Sequence, residues 1–144
     1  MTRFHPATGL PPGATLRPEH EVSPGQAAAM LREPAGYLVL DCRLPEEFEA
    51  ARVEGSVPIP LHELESRLDE VEEALGERGG DKAAPFAVLC HHGHRSLRAA
   101  LLLQQHGFTG ARSVYGGIEL WACAVDGSIP RYERQGSKCT IVPR

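Results

Sequence analysis

The segment Phe86-Ala87-Val88-Leu89-Cys90-His91-His92-Gly93-His94-Arg95-Ser96 gathers reactive side chains into a few positions. An apolar run delivers a cysteine, a polar turn containing glycine follows, and apolar residues resume at Leu97 and Ala99. That order reads as a buried strand, a tight loop and the start of a helix. Open α/β sheets hold their ligands at the carboxyl edge of the strands, where this cysteine would stand. Successive loop N–H groups can turn inward as an anion-binding nest. The helix N-terminus adds unpaired donors and partial positive charge. Such surroundings favour the thiolate, which is the nucleophilic form. Cys90 is the candidate catalytic residue, with its sulfur expected to face an anion in a shallow cup.

The candidate substrate-binding residues are His91, His92, Gly93, His94, Arg95 and Ser96. Gly93 suits a loop position needing positive φ or close backbone approach. Arg95 offers a planar, permanently charged fork to an oxyanion. Ser96 either hydrogen-bonds the sulfur or caps the helix. The histidines supply a mild charge that varies with pH. Cys90, His91, His92 and His94 are also metal-ligand types. Crowded into five adjacent positions of a tight loop, they rarely converge on one tetrahedral centre. No metal site and no cofactor is expected.

Other elements must position this loop. Tyr37 to Leu40 is a second buried strand, ending in Asp41-Cys42-Arg43. Ser23-Pro24 marks a helix start, and that helix should stop before Pro34. Pro45 to Ala51 is a short acidic helix, and Val57 to Pro60 a brief strand limited by its prolines. Leu61, Leu64, Leu68, Val71 and Leu75 form one apolar stripe, predicting a single helix with a solvated acidic face. The helix after Cys90 should end at Gly107. Ser113 to Tyr115 is a further strand, and Gly116-Gly117 opens a helix carrying Trp121. Alternation of strands and helices implies an α/β fold with a largely parallel sheet. Residues 1–19 read as an N-terminal arm, either extended or disordered. Residues 20–132 read as the domain, and 133–144 as a weakly specified C-terminal tail. Cys42, Cys123 and Trp121 are expected in the core. Cys139 reads as a stray tail thiol, or else as a sulfur acceptor or disulfide partner for Cys90.

The 144 residues fit one domain, and a net charge of −4 argues against a general nucleic-acid binder. There is no apolar run of spanning length, so no membrane partner is expected. The four cysteines lack C-x-x-C spacing and no secretory signal is visible, which points to free thiols in a reducing, cytoplasmic setting.

Cys90-His91-His92-Gly93-His94-Arg95-Ser96 resembles the C-x-x-G-x-R-S loop of single-domain rhodanese-like sulfurtransferases. The likeness continues elsewhere. Asp41-Cys42-Arg43-Leu44-Pro45-Glu46-Glu47-Phe48 is similar to the family's D-x-R-x-P-x-E-[FY]. Val53-Glu54-Gly55-Ser56-Val57-Pro58-Ile59-Pro60 resembles its I-x-G-A-x-N-I-P. Gly107-Phe108, then Tyr115-Gly116-Gly117-Ile118 and Trp121, resemble its ending. Arg52 and Pro58 depart from the family's usual His and Asn, and the loop carries histidines in place of Arg or Lys.

The resemblance implies a rhodanese-like fold: a central parallel sheet of about five strands with helices on both faces. It implies a two-step sulfur transfer through a Cys90 persulfide. The partners would be a small sulfur donor such as thiosulfate and a thiol or cyanide acceptor, with a protein sulfur acceptor as one option. Asp41 and Arg43 would brace the loop, or only stabilise the strand end. Two rivals stand beside this. Cysteine-dependent phosphatases and arsenate reductases place five residues between Cys and Arg, whereas four separate Cys90 from Arg95. A non-catalytic rhodanese-type interaction module is the stronger rival, although such modules usually lack the cysteine.

Overall fold

The computed structural model describes residues 3–144. Five parallel strands form the central sheet: β1 (Glu21–Val22), β2 (Val39–Asp41), β3 (Val57–Pro58), β4 (Phe86–Leu89) and β5 (Ala111–Val114), in the order β1-β5-β4-β2-β3. Strands β2 and β4 are buried along their whole length. This explains their continuous apolar runs, since parallel strands are covered on both sides.

The helices are α1 (Pro24–Leu31), α2 (Pro45–Ala50), α3 (Leu61–Leu64), α4 (Leu68–Gly76), α5 (His94–Gln105) and α6 (Gly117–Ala124). Ser23 Oγ accepts the Gln26 N–H at 3.1 Å, and Pro24 opens α1, as the sequence indicates. Leu64, Val71, Leu75, Ala99 and Leu103 bring α3, α4 and α5 onto one face of the sheet, against Leu38, Leu40, Phe86 and Val88. Ala27, Ala28, Ile118 and Trp121 bring α1 and α6 onto the other, against Val39, Ala87 and Leu89. The expected α/β architecture is what the chain adopts.

Four expectations change. The single helix over Leu61 to Leu75 is broken by a 3-10 turn, Glu65–Arg67. The Ser66 hydroxyl donates to the Glu63 carbonyl at 2.9 Å, competing with the helical ladder, and Arg67 leaves helical backbone at φ −126°, ψ 28°. The N-terminal arm is neither extended nor loose. It folds through turns onto the domain, with Gly9 buried and the Gly25 N–H donating to the Thr8 carbonyl at 2.8 Å. Just after the arm, Glu21–Val22 forms β1, where the sequence suggested no strand. Cys123 is exposed rather than in the core.

The fourth change is the C-terminus. β6 (Arg131–Gln135) and β7 (Lys138–Val142) form an antiparallel hairpin across a two-residue Gly136-Ser137 turn, with Gly136 at φ 61°. Glycine is suited to that left-handed backbone. The hairpin crosses the boundary drawn at residue 132, and its Tyr132 and Cys139 pack against the α1–α6 core.

Candidate functional site

Cys90 follows β4 directly, and the loop closes at once into α5. The thiol donates to Ser96 Oγ at 3.2 Å, and the Gly93 N–H donates to Cys90 Sγ at 3.1 Å. Ser96 Oγ also lies 2.7 Å from Ser113 Oγ on β5. Ser96 therefore contacts the sulfur and does not cap α5, whose N-cap is Gly93 without a side-chain bond.

The N-terminus of α6 sets the loop's peptide directions. The Ile118 N–H takes the Cys90 carbonyl at 2.8 Å, and the Glu119 N–H takes the His91 carbonyl at 3.1 Å. A planar trans peptide points its N–H opposite its C=O, so the His91 and His92 amides face away from α6. Two glycines permit this closeness. A Cβ on Gly117 would sit 2.4 Å from the His91 carbonyl oxygen. Gly93, at φ 103°, would bring a Cβ to 3.1 Å from the Gly116 nitrogen. Of the loop amides, the Gly93 N–H is the one that meets the sulfur, at 3.1 Å.

The cup itself is closed. Cys90 has 0% exposure, packed with Leu40, Cys42, Ile59 and Val88. The open seat expected from the sequence is absent in this state, because the thiol leaves the sheet on the face already filled by α3, α4 and α5.

Arg95 pairs with Glu47. Two hydrogen bonds, Nη1–Oε1 at 2.7 Å and Nη2–Oε2 at 2.8 Å, join them. Glu47 also accepts the Tyr132 hydroxyl at 2.7 Å and the Leu44 N–H at 3.2 Å, and Arg134 lies 4.0 Å away. Burial alone would raise the Glu47 pKa, but the Arg95 and Tyr132 bonds outweigh it and hold the carboxyl down at about 2. Arg43, fully buried, binds Asp41 through Nε at 2.9 Å and Nη2 at 2.7 Å, and reaches the Tyr132 hydroxyl at 3.1 Å and the Ala51 carbonyl at 2.6 Å. Asp41 and Arg43 meet the loop through Tyr132 rather than directly.

Tyr132 reaches the loop from the hairpin. Its ring stacks on His91 with centroids 4.0 Å apart and 9° between planes, and His91 Nε2 donates to the Tyr132 carbonyl at 3.2 Å. Burial, then the neighbouring His92, pushes the His91 pKa down to about 4. His92 and His94 are surface residues of the loop. Among the described residues, no group of three or more His, Cys, Asp or Glu side chains is placed to hold a metal ion.

Beside the loop lies a cavity of about 480 Å³ whose lining includes His62, Arg95, Arg98 and Arg134 against a single acid, Glu65. Sequence reasoning missed Glu47 as the hub, Tyr132, and the Arg98 and Arg134 lining. Glu47 was visible only as a motif letter. Tyr132 and Arg134 lie in the segment read as a tail, although Gly136-Ser137 between short polar-apolar runs is a hairpin signal.

Comparison with known proteins matches a family model described as a rhodanese-like domain over residues 23–124. The chain is 40% identical over 96 residues to the adenylyltransferase and sulfurtransferase MOCS3-1 of Zea mays, covering 67% of this chain and 20% of that protein. It is 37% identical over 98 residues to the thiosulfate sulfurtransferase GlpE of Pseudomonas fluorescens, covering 68% of this chain and 81% of that one. The chain thus spans only about a fifth of the maize protein. Reduced Bacillus anthracis CoADR-RHD superposes with a TM-score of 0.63 at 26% identity, over 76% of this chain and 18% of that one.

Proposed function

Because the chain belongs to the rhodanese-like family, we propose that it is a sulfurtransferase that carries sulfane sulfur on Cys90. The observation that carries this reading is the Cys90 sulfur itself, at the end of β4, receiving the Gly93 N–H at 3.1 Å. The Cys90 thiolate attacks the outer sulfur of an anionic donor of the thiosulfate type. The bond to the donor breaks, sulfite leaves with the electron pair, and a persulfide remains on Cys90. A thiol acceptor, or cyanide, then takes the outer sulfur and returns the thiolate.

The loop amides and the helix N-terminus stabilise negative charge on the persulfide. The cation-rich cavity favours an anionic donor over a neutral one. Gly93 shapes the loop, Ser96 touches the sulfur, His91 packs under Tyr132, and His92 and His94 lie at the surface. Arg95, held by Glu47, acts first as a positioning residue, with Asp41 and Arg43 supporting it through Tyr132. The chemistry needs free thiols, which suits a reducing cytoplasmic setting.

The sealed sulfur favours a second reading, a rhodanese-type interaction module without turnover. Thiosulfate:cyanide sulfurtransferase activity separates the two. Turnover that disappears in Cys90→Ser supports the enzyme. No turnover with thiosulfate or with a persulfide donor supports the module.

A further inference from the structure

We propose that Cys42 is the resolving thiol of Cys90: without an external acceptor, it closes the Cys90 persulfide into a Cys42–Cys90 disulfide and releases hydrosulfide. This inference rests on the sulfur-carrying role proposed for Cys90.

The sheet register places the two thiols together. Leu40 pairs with Val88 and Asp41 with Leu89 across the parallel strands β2 and β4. The Cys42 N–H donates to the Leu89 carbonyl at 2.9 Å, closing that last pair of the ladder, and Cys42 and Cys90 are the next residues on the two strands. Side chains alternate along a strand. Leu38, Leu40 and Cys42 share a buried cluster with Phe86, Val88 and Cys90, so both thiols leave the sheet on one face. Adjacent strands lie about 4.8 Å apart. That falls within the roughly 4.4–6.8 Å that separates Cα atoms across disulfides. Both thiols are free. Cys42 also lines the Arg95–Arg98 cavity.

The step balances without an outside oxidant. The Cys42 thiolate attacks Cys90 Sγ, the inner sulfur of the persulfide. A bond forms between the two cysteine sulfurs as the bond from Cys90 Sγ to the outer sulfur breaks. The outer sulfur leaves with the electron pair as hydrosulfide, and the proton from Cys42 passes to it or to solvent. The sulfane sulfur is reduced and the two cysteine sulfurs are oxidised. Burial pushes the Cys42 thiol up, and the neighbouring Cys90 and Asp41 charges add to this. Cys42 therefore attacks slowly, leaving time for an external acceptor to collect the sulfur first.

The test loads the protein with thiosulfate, removes the donor, and follows intact mass and sulfide with no acceptor present. In the wild type, the mass rises by one sulfur atom, then falls to two hydrogens below the starting protein as stoichiometric sulfide appears. Non-reducing peptide mapping joins Cys42 to Cys90. Cys42→Ala and Cys42→Ser gain the sulfur and keep it, releasing no sulfide. A wild-type persulfide that persists as long as that of Cys42→Ala, or a disulfide through Cys123 or Cys139, overturns the proposal. If neither wild type nor Cys42→Ala gains sulfur, the carrier role of Cys90 falls, and the inference falls with it.

Discussion

Glu47 and Arg95 are joined by two parallel hydrogen bonds, 2.7 and 2.8 Å long, with the carboxylate fully buried and the guanidinium side chain 22% exposed. This pair ties α2 to the first turn of α5. A planar fork matched to a carboxylate is a specific geometry. It also means that the Arg95 charge is already paired with a carboxylate.

Replacing Glu47 by Gln leaves Arg95 without a counter-charge and removes the anion to which Tyr132 donates. Charged hydrogen bonds of this kind and the partial burial of the pair predict a loss of about 2–3 kcal/mol. Urea denaturation checks it. A change of only a few tenths would mean that Arg95 finds another partner.

Tyr132→Phe keeps the stack on His91 but removes the hydroxyl shared with Glu47 and Arg43. The expected cost is about 1–2 kcal/mol. It should concentrate in the hairpin, where amide hydrogen exchange between Arg131 and Val142 speeds up more than in α5. Equal acceleration in both would contradict the hairpin as a separately anchored unit.

His91 sets an acid limit. Its pKa is about 4 in the folded chain, against 6.5 ordinarily. Between these values the unfolded chain holds the extra proton, so stability present above pH 6.5 is lost as pH falls toward 4. Glu47, depressed from 4.5 to about 2, extends the loss to lower pH. Urea midpoints measured across the window should slope downward with acid, and His91→Phe should flatten the upper part. An unchanged slope in that variant would assign the effect elsewhere.

Much of the layout is legible in the sequence. Apolar runs ending at Asp41 and Cys90 show two buried strands, since chain covered on both faces admits no polar alternation. Loop spacing shows the candidate nucleophile, because a strand, a glycine turn and a helix leave few other placements. What the sequence hides is long-range. Glu47 as a hub depends on Arg95 and Tyr132 arriving from positions 48 and 85 residues away. The sealing of Cys90 depends on how tightly three helices fill one face. The hairpin is hidden by its polar composition, as only Tyr132 of β6 is buried.

Ser96→Ala removes the hydroxyl 3.2 Å from the sulfur and its link to Ser113. Loss of one such bond predicts about tenfold slower sulfur loading, with modest change in stability. Stopped-flow reaction with thiosulfate checks the rate. A variant that loads at the wild-type rate would leave Ser96 a packing residue.

Gly93→Ala forces a Cβ into the left-handed region at φ 103° and against the Gly116 nitrogen. The expected cost is about 1–3 kcal/mol, with a larger loss of sulfur loading because the amide that meets Cys90 Sγ moves. Retained loading would show that this amide is not needed.

The central claim is that Cys90 carries the sulfur. The most direct measurement is site-resolved mass spectrometry after brief exposure to thiosulfate, with trapping of free thiols. The account predicts one added sulfur atom on the peptide containing Cys90, absent from Cys90→Ser. No added sulfur from any donor, or sulfur on Cys123 or Cys139 that survives in Cys90→Ser, would contradict it.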